Sequence, residues 1–238
     1  VDYRVKLYKH RAFIGKSVEG TWVYKMDAGG QHNLVLDHAG KVHSFGYGGY
    51  GQLGLNSGNN KMTPQLIAEI IDGKTIIEIS AGDNYSLVLD DVGDVYSFGY
   101  GWWGQLGHRD NHNINFPKKI QMPTSAKTIV AISAGSYHSL VLDNMGDVYS
   151  FGYNARGQLG HRDNHNINFP KKIDYLDGKT IKAISAGGNH SLVLDNMRNV
   201  YSFGDNSAGQ LGHDNNNTIN LPKKIDYLDG KTIKAISA

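Results

Sequence analysis

Glycine-rich runs, histidines and lysine pairs are the residues of this chain whose types and spacing could do chemistry. Gly73-Lys74-Thr75, Gly178-Lys179-Thr180 and Gly230-Lys231-Thr232 end like a phosphate-binding P-loop. That loop needs another glycine five residues before the GK, so that backbone N–H groups can wrap a phosphate. Those places hold Ala68, Ile173 and Ile225, and the triplets are read as turns leading into strands. The runs Gly46–Gly51 (GYGGYG) and Gly99–Gly104 (GYGWWG) spell G-x-G-x-x-G after a strand. A dinucleotide site needs a helix next, within a parallel βαβ unit. Gln-Leu-Gly and a polar loop follow instead, so no cofactor is expected.

Histidines recur at His32, His138 and His190, and again at His108, His161 and His213. Metal ligands must converge at about 2 Å from one ion. Equivalent positions of successive repeats spread out rather than converge, and Tyr85 takes the first histidine's place in one copy. His138 and His190 are read as structural hydrogen-bonding groups within each unit, and no metal site is expected. Lys118-Lys119, Lys171-Lys172 and Lys223-Lys224 repeat one pair per unit. Such pairs either meet phosphates or an acidic protein, or form the solvated face of an edge strand, where lysine blunts aggregation. Neighbouring acids and a net charge of +2 favour the second reading. No G-x-S-x-G nucleophile elbow and no carboxylate pair stands out. No catalytic residue and no small-molecule substrate is expected, and the chain is read as not an enzyme.

What positions these residues is a sentence of about fifty residues said four times. Its copies open with the Ala-Gly at Ala28, Ala81, Ala134 and Ala186, and a fifth begins at Ala235. The units run 28–80, 81–133, 134–185 and 186–238, with residues 1–27 as a partial N-terminal repeat or strand. In the third copy, TIVAISAG (128–135), HSLVLD (138–143), VYSFG (148–152) and PKKI (170–173) read as four strands. HSLVLD alternates, with Leu140 and Leu142 on one face and Ser139 and Val141 on the other. Gly146 supplies the positive φ of the hairpin turn that follows; Arg198 replaces it in the last copy, so that turn must differ or carry strain. Pro170 fits an edge strand or a strand start. Four short strands per repeat make one propeller blade, so the fold class is all-β, a β-propeller of four-stranded antiparallel blades.

The words AG-x-x-H-S-L-V-L, G-D-V-Y-S-F-G and G-Q-L-G-H resemble the repeats of the regulator of chromosome condensation family. The resemblance covers residues 28–238 and weakly 11–27. It implies a seven-bladed ring, for which seven repeats of this period need roughly 370 residues; the chain is therefore expected to be a piece of a longer propeller, with a smaller ring or closure between subunits as the alternatives. It further implies action by protein contact. Family members serve as exchange factors for a small nuclear GTPase, chromatin binders, parts of ubiquitin ligases, inhibitors of bacterial enzymes and a light receptor. No wedge loop of the exchange-factor type interrupts these repeats, and the G-W-R-H-T motif of the light receptor is absent.

Between F-G and G-Q-L-G the copies differ: Tyr47-Gly-Gly-Tyr50, Tyr100-Gly-Trp102-Trp103, Tyr153-Asn-Ala-Arg156 and Asp205-Asn-Ser-Ala208. A position that packs a repeated core should repeat, so this gap is shaped by something outside the blade. Trp, Tyr and Arg are enriched in binding hot spots. Tyr47, Tyr50, Tyr100, Trp102, Trp103, Tyr153 and Arg156 are therefore the candidate protein-binding residues, with one of the two tryptophans also a candidate for packing on a neighbouring blade. The pairs after Ala-Gly also vary (Gly30-Gln31, Asp83-Asn84, Ser136-Tyr137, Gly188-Asn189) and are placed near one rim or the central funnel.

The expected function is a non-enzymatic scaffold that binds a protein partner through its rim loops. The alternatives are an exchange factor or chromatin-associated regulator of a small GTPase, and a structural subunit of a large assembly such as a virion. Nucleic acid is the weaker partner class, given the small net charge. No apolar run suggests a membrane span or a signal peptide. The chain has no cysteine, which excludes disulfide scaffolds and thiolate zinc. An intracellular setting, cytoplasm or nucleus, is expected, with the virion as alternative. Frequent Asn, Ile and Lys suit an AT-rich genome, and the near-identity of the copies suggests recent duplication. The sequons at Asn84, Asn189 and Asn216 are read as accidental unless the chain is secreted.

Overall fold

The computed structural model describes residues 23–68 and 74–238; the partial repeat expected before Val23 lies outside them. Sixteen strands form four separate four-stranded antiparallel sheets. The first is β1 (Val23–Ala28), β2 (His32–Asp37), β3 (Val42–Gly46) and β4 (Lys61–Leu66). The second is β5 (Ile76–Ala81), β6 (Tyr85–Asp90), β7 (Val95–Gly99) and β8 (Ile114–Lys119). The third is β9 (Ile129–Ala134), β10 (His138–Asp143), β11 (Val148–Gly152) and β12 (Ile167–Lys172). The fourth is β13 (Ile181–Ala186), β14 (His190–Asp195), β15 (Val200–Gly204) and β16 (Ile219–Lys224). Strands pair in sequence order within every sheet, which is the blade of a propeller. Among the described residues, two 3-10 turns, Asp174–Leu176 and Asp226–Leu228, are the helical elements. No helix there is long and apolar enough to cross a membrane.

The blade explains why the repeated letters recur. Leu87 and Leu89 of β6 pack forward on Ile132, Val141, Tyr149 and Phe151 of the third blade. Val88, Tyr96 and Phe98 pack back on Leu34, Leu36 and Val42 of the first. The alternation of L-V-L thus divides its side chains between two cores, one on each side of the blade. The second strand is buried on both faces in the second and third blades, because blades stack face to face. Each Leu or Val so buried contributes about 1.5–3 kcal/mol.

The closing Asp of each second strand builds the next turn. Asp143 Oδ1 accepts the N–H groups of Met145 and Asp147, both at 3.0 Å. Asp195 repeats this with Met197 and Asn199 at 2.9 and 2.8 Å. Gly146 stands at φ +93°. Arg198 takes the same turn at φ +71° rather than a different one, so the last hairpin carries the strain of a left-handed non-glycine residue.

The fourth strand is longer than PKKI and begins at Ile167. Its register slips between Ser150↔Lys171 and Gly152↔Ile167. Pro170 falls within that irregularity on the outer edge strand, where a missing N–H costs nothing.

Candidate interaction rim

The loops joining first to second strands and third to fourth strands emerge at the same end of every blade. Each long loop is braced from within by the Gln of G-Q-L-G. Gln52, Gln105, Gln158 and Gln210 Oε1 accept the N–H groups of Tyr50, Trp103, Arg156 and Ala208 at 2.9–3.0 Å. The following Leu carbonyl accepts a serine hydroxyl from the third strand, as in Ser97 Oγ to Leu106 O at 2.7 Å. His108 Nε2 lies 2.9 Å from the same Ser97 Oγ. That hydroxyl's proton is already donated, so the imidazole donates its own. His161 and His213 repeat the arrangement with Ser150 and Ser202.

The loop also grips the next blade. Arg109 N–H donates to Asn168 O at 2.7 Å, and Arg162 N–H to Asn220 O at 2.8 Å. Gly104 makes the close approach possible: a Cβ there would lie 2.6 Å from Asn168 Cα, at φ +83°. The Arg109 guanidinium sits over the Phe169 ring, 5.1 Å from its centroid.

His138 joins blades rather than acting within one, which corrects the sequence reading, and His32 does the same. His32 Nε2 meets Ser86 Oγ of the second blade at 2.9 Å, and His138 Nε2 meets Ser191 Oγ of the fourth at 3.0 Å. Each serine donates onward to the backbone oxygen of the preceding blade's glutamine, Gln52 and Gln158, at 2.8 Å. Both imidazoles are therefore neutral Nε2–H donors. Burial pushes His32 down to about 4, and burial with the His190 charge pushes His138 down to about 3. In the second blade Tyr85 does the same bridging, its hydroxyl donating to His138 O at 2.5 Å. The Gly of each Ala-Gly makes room for this ring: a Cβ on Gly82 would lie 2.1 Å from Tyr85 Cε1. Among the described residues no group of three or more His, Asp or Glu could hold a metal ion.

Above this frame the structure sets three of the sequence-picked aromatics in one row and two more in a separate pair. Tyr47 and Tyr50 stand edge-to-face at 5.8 Å between centroids, Tyr50 and Tyr100 at 5.0 Å, and Tyr100 and Tyr137 at 6.4 Å. Tyr137 OH donates to Asp83 Oδ2 at 2.8 Å. Three successive blades thus contribute to one ladder of rings that ends on a carboxylate. That bond, with burial, pushes the Tyr137 phenol up to about 12. Burial and the neighbouring Tyr50 raise Tyr100. Trp103 packs on Tyr153 of the third blade at 5.2 Å, so it is the tryptophan that touches a neighbouring blade. Trp102 is 62% exposed and Tyr50 38%. Arg156 is exposed; against partial burial, hydrogen bonds from Ser207 and Gln210 lower the Asp205 carboxyl, and the Arg156 charge adds a smaller effect in the same direction.

Tyr137 and Asp83 were not among the candidate binding residues. Their signal was the variation of the pair after Ala-Gly, which their place beside the ladder now explains. The lysine pairs lie on the outer strands, away from the ladder. Their second members are held by acids: Lys119 to Asp94 at 2.6 Å, Lys172 to Asp147 and Asp177 at 3.0 and 2.9 Å, and Lys224 to Asp229 at 2.6 Å.

Comparison with known proteins agrees with this architecture. The family described as RCC1-like domain matches residues 9–238. The mouse E3 ubiquitin-protein ligase HERC2 is 32% identical over 224 residues, 93% of this chain and 5% of that protein. The ultraviolet-B receptor UVR8 of Arabidopsis thaliana is 28% identical over 222 residues, 93% of this chain and 50% of its own length. Among solved structures, human WBSCR16 superposes with a TM-score of 0.80 at 23% identity, over 91% of this chain and 56% of that one. Yeast RCC1 (Prp20), solved with Kap60 bound, gives 0.76 at 23% identity over 88% and 50%. The chain thus spans half or less of the curated relatives cited here. Four blades of ordered four-stranded sheets, the repeated Ala-Gly and G-Q-L-G frame and the family match together place this chain in the RCC1-like domain family.

Proposed function

We propose that this chain is a non-enzymatic propeller module that binds a protein partner through the rim carrying Tyr47, Tyr50, Tyr100, Trp102, Trp103, Tyr153 and Arg156. One observation carries the reading. The loops that differ between otherwise repeated blades are the loops that hold the aromatic ladder, and Trp102 there is 62% exposed. Exposed aromatics on loops set by a rigid frame are the usual anchors of protein interfaces. The brace from each Gln holds the loop backbone in place before binding, which lowers the ordering cost of association.

Other RCC1-like proteins support contact with proteins as the mode of action: yeast Prp20p was solved in work on its binding to Gsp1p and histones. The test is site-specific photo-cross-linking in the source cell. A photoreactive residue at Trp102 is compared with one at Met145, a hairpin-tip residue at the opposite end of the third blade. A discrete partner cross-linked from Trp102 and not from Met145 is expected, and Trp102→Ala should weaken its binding at least tenfold. Equal cross-linking from both ends would overturn the reading. Accelerated GDP release from a small GTPase at micromolar protein would replace it with the exchange-factor reading.

A further inference from the structure

The aromatic ladder ends on a carboxylate whose charge no described lysine or arginine neutralises. Asp83 Oδ2 accepts from Tyr137 OH at 2.8 Å and from Asn84 Nδ2 at 3.2 Å. Both donors are neutral, so the full negative charge stays at the end of the ladder. Among the described residues no lysine or arginine forms an ion pair with Asp83. Elsewhere the chain does pair its acids, as in Lys25 with Glu78 at 3.0 Å and Lys119 with Asp94 at 2.6 Å. The loops around the ladder, residues 29–31, 47–50, 82–84, 100–103 and 135–137, hold no charged residue other than Asp83. Arg156, farther along the rim, acts on Asp205 instead.

Asp83 also lines an open cavity of about 240 Å³ where the first strands of the blades meet. The remaining lining is the small residues of the Ala-Gly segments, among them Gly30, Gly82, Ser136 and Gly188. The cavity and the ladder therefore adjoin at Asp83, which lines the one and ends the other through its bond from Tyr137. Aromatic rings attract cations through their quadrupole. A carboxylate beside them adds a full charge in a setting poorer in water than the open surface. An anionic or purely apolar group placed here would leave Asp83 desolvated and unpaired.

Resting on the rim reading above, we infer that this corner is a cation receptor. It takes a lysine or arginine side chain of the protein partner, seated beside Tyr100 and Tyr137 with its charge on the Asp83 carboxylate. The partner's contacting segment is accordingly basic.

The probe is a fluorescein-labelled peptide of alternating Gly-Ser and Lys, with the same peptide carrying Glu for Lys as its counterpart. Fluorescence anisotropy follows binding to the unaltered chain and to Asp83→Asn, Tyr100→Leu and Met145→Ala. Asp83→Asn keeps an oxygen that can accept from Tyr137, so the ladder is preserved while the charge is lost. The lysine peptide should bind the unaltered chain and the glutamate peptide should not. Asp83→Asn and Tyr100→Leu should each weaken the lysine peptide at least tenfold, with Met145→Ala, exposed at the opposite end of the third blade, within twofold. No binding of the lysine peptide, equal binding of both peptides, or an Asp83→Asn affinity unchanged would overturn the inference. Those failures leave the photo-cross-linking result from Trp102 untouched, so the rim reading and the cation receptor fail separately.

Discussion

Replacing His138 by tyrosine should make the protein more resistant to acid. His138 is fully buried and burial holds it down to about 3, while its unfolded counterpart titrates near 6.5. The unfolded chain therefore takes up a proton below about pH 6.5 that the folded chain refuses. For a base whose folded value is depressed, stability is complete above the unfolded value and falls as pH drops toward the folded one. The loss is about 1.4 kcal/mol per pH unit for each such imidazole, or about 2 kcal/mol between pH 6.5 and 5. His32, 1% exposed and held at about 4, adds a similar amount. Tyrosine has no proton to gain in this window. The second blade already shows that the site accepts it, since Tyr85 fills the same place and bridges to the next blade. Urea unfolding followed by tryptophan fluorescence at pH 7, 6 and 5 measures the difference. The unaltered protein should lose about 2 kcal/mol more than His138→Tyr between pH 7 and 5, from the linkage slope. The reciprocal variant Tyr85→His should add one titrating imidazole and steepen the loss. Identical pH profiles for all three proteins would refute the neutral inter-blade histidine.

Further outcomes follow from single residues. Arg198→Gly removes a left-handed non-glycine residue at φ +71°. The strain relieved is roughly 1–2 kcal/mol and the added chain entropy roughly 0.5–1 kcal/mol, so equilibrium unfolding should show a net gain of a few tenths to about 1 kcal/mol; the opposite substitution, Gly146→Arg, should lose more than this, because its Cβ would also lie 2.8 Å from Ile181 N of the next blade. Gly104→Ala should lose at least about 2 kcal/mol in the same assay, because strain at a special φ and a backbone clash act together. The new Cβ would meet Asn168 Cα at 2.6 Å, and neither backbone can yield without parting the blades. Trp102→Ala should change stability by less than about 0.5 kcal/mol, as expected of a surface residue, so that any loss of partner binding reports the interface alone.

The strands were legible because their signals are local. Two-residue alternation, β-branched runs and Gly turns mark an edge of a strand within a few letters. The cross-blade role of His32 and His138 was not legible, because it joins residues 54 and 53 positions apart. A histidine that bonds within a blade and one that bonds across repeat at the same period. Only the three-dimensional stacking separates them. The same is true of L-V-L, whose alternation promised one buried face and one other, while the stacked neighbour buries both.

The site divides along the same line. Tyr50, Tyr100 and Trp102 stood out because they break the repetition in a loop otherwise set by fixed letters. Tyr137 and Asp83 break it too, but in a different loop, and nothing in the linear order joins the two. In a propeller, however, loops of three blades converge at one end, so the ring of Tyr50 from the first blade, Tyr100 from the second and Tyr137 from the third form one surface. A repeat protein conserves the letters that hold blade to blade, since a change there is felt by two blades at once, as Gly104 against Asn168 illustrates. The rim letters meet across blades through ring contacts, such as Trp103 on Tyr153, rather than through a backbone approach that fixes the letter. Under the proposed rim function, variation between copies marks the surface that meets a partner, and its chemistry is read by asking which variable residues the fold brings side by side.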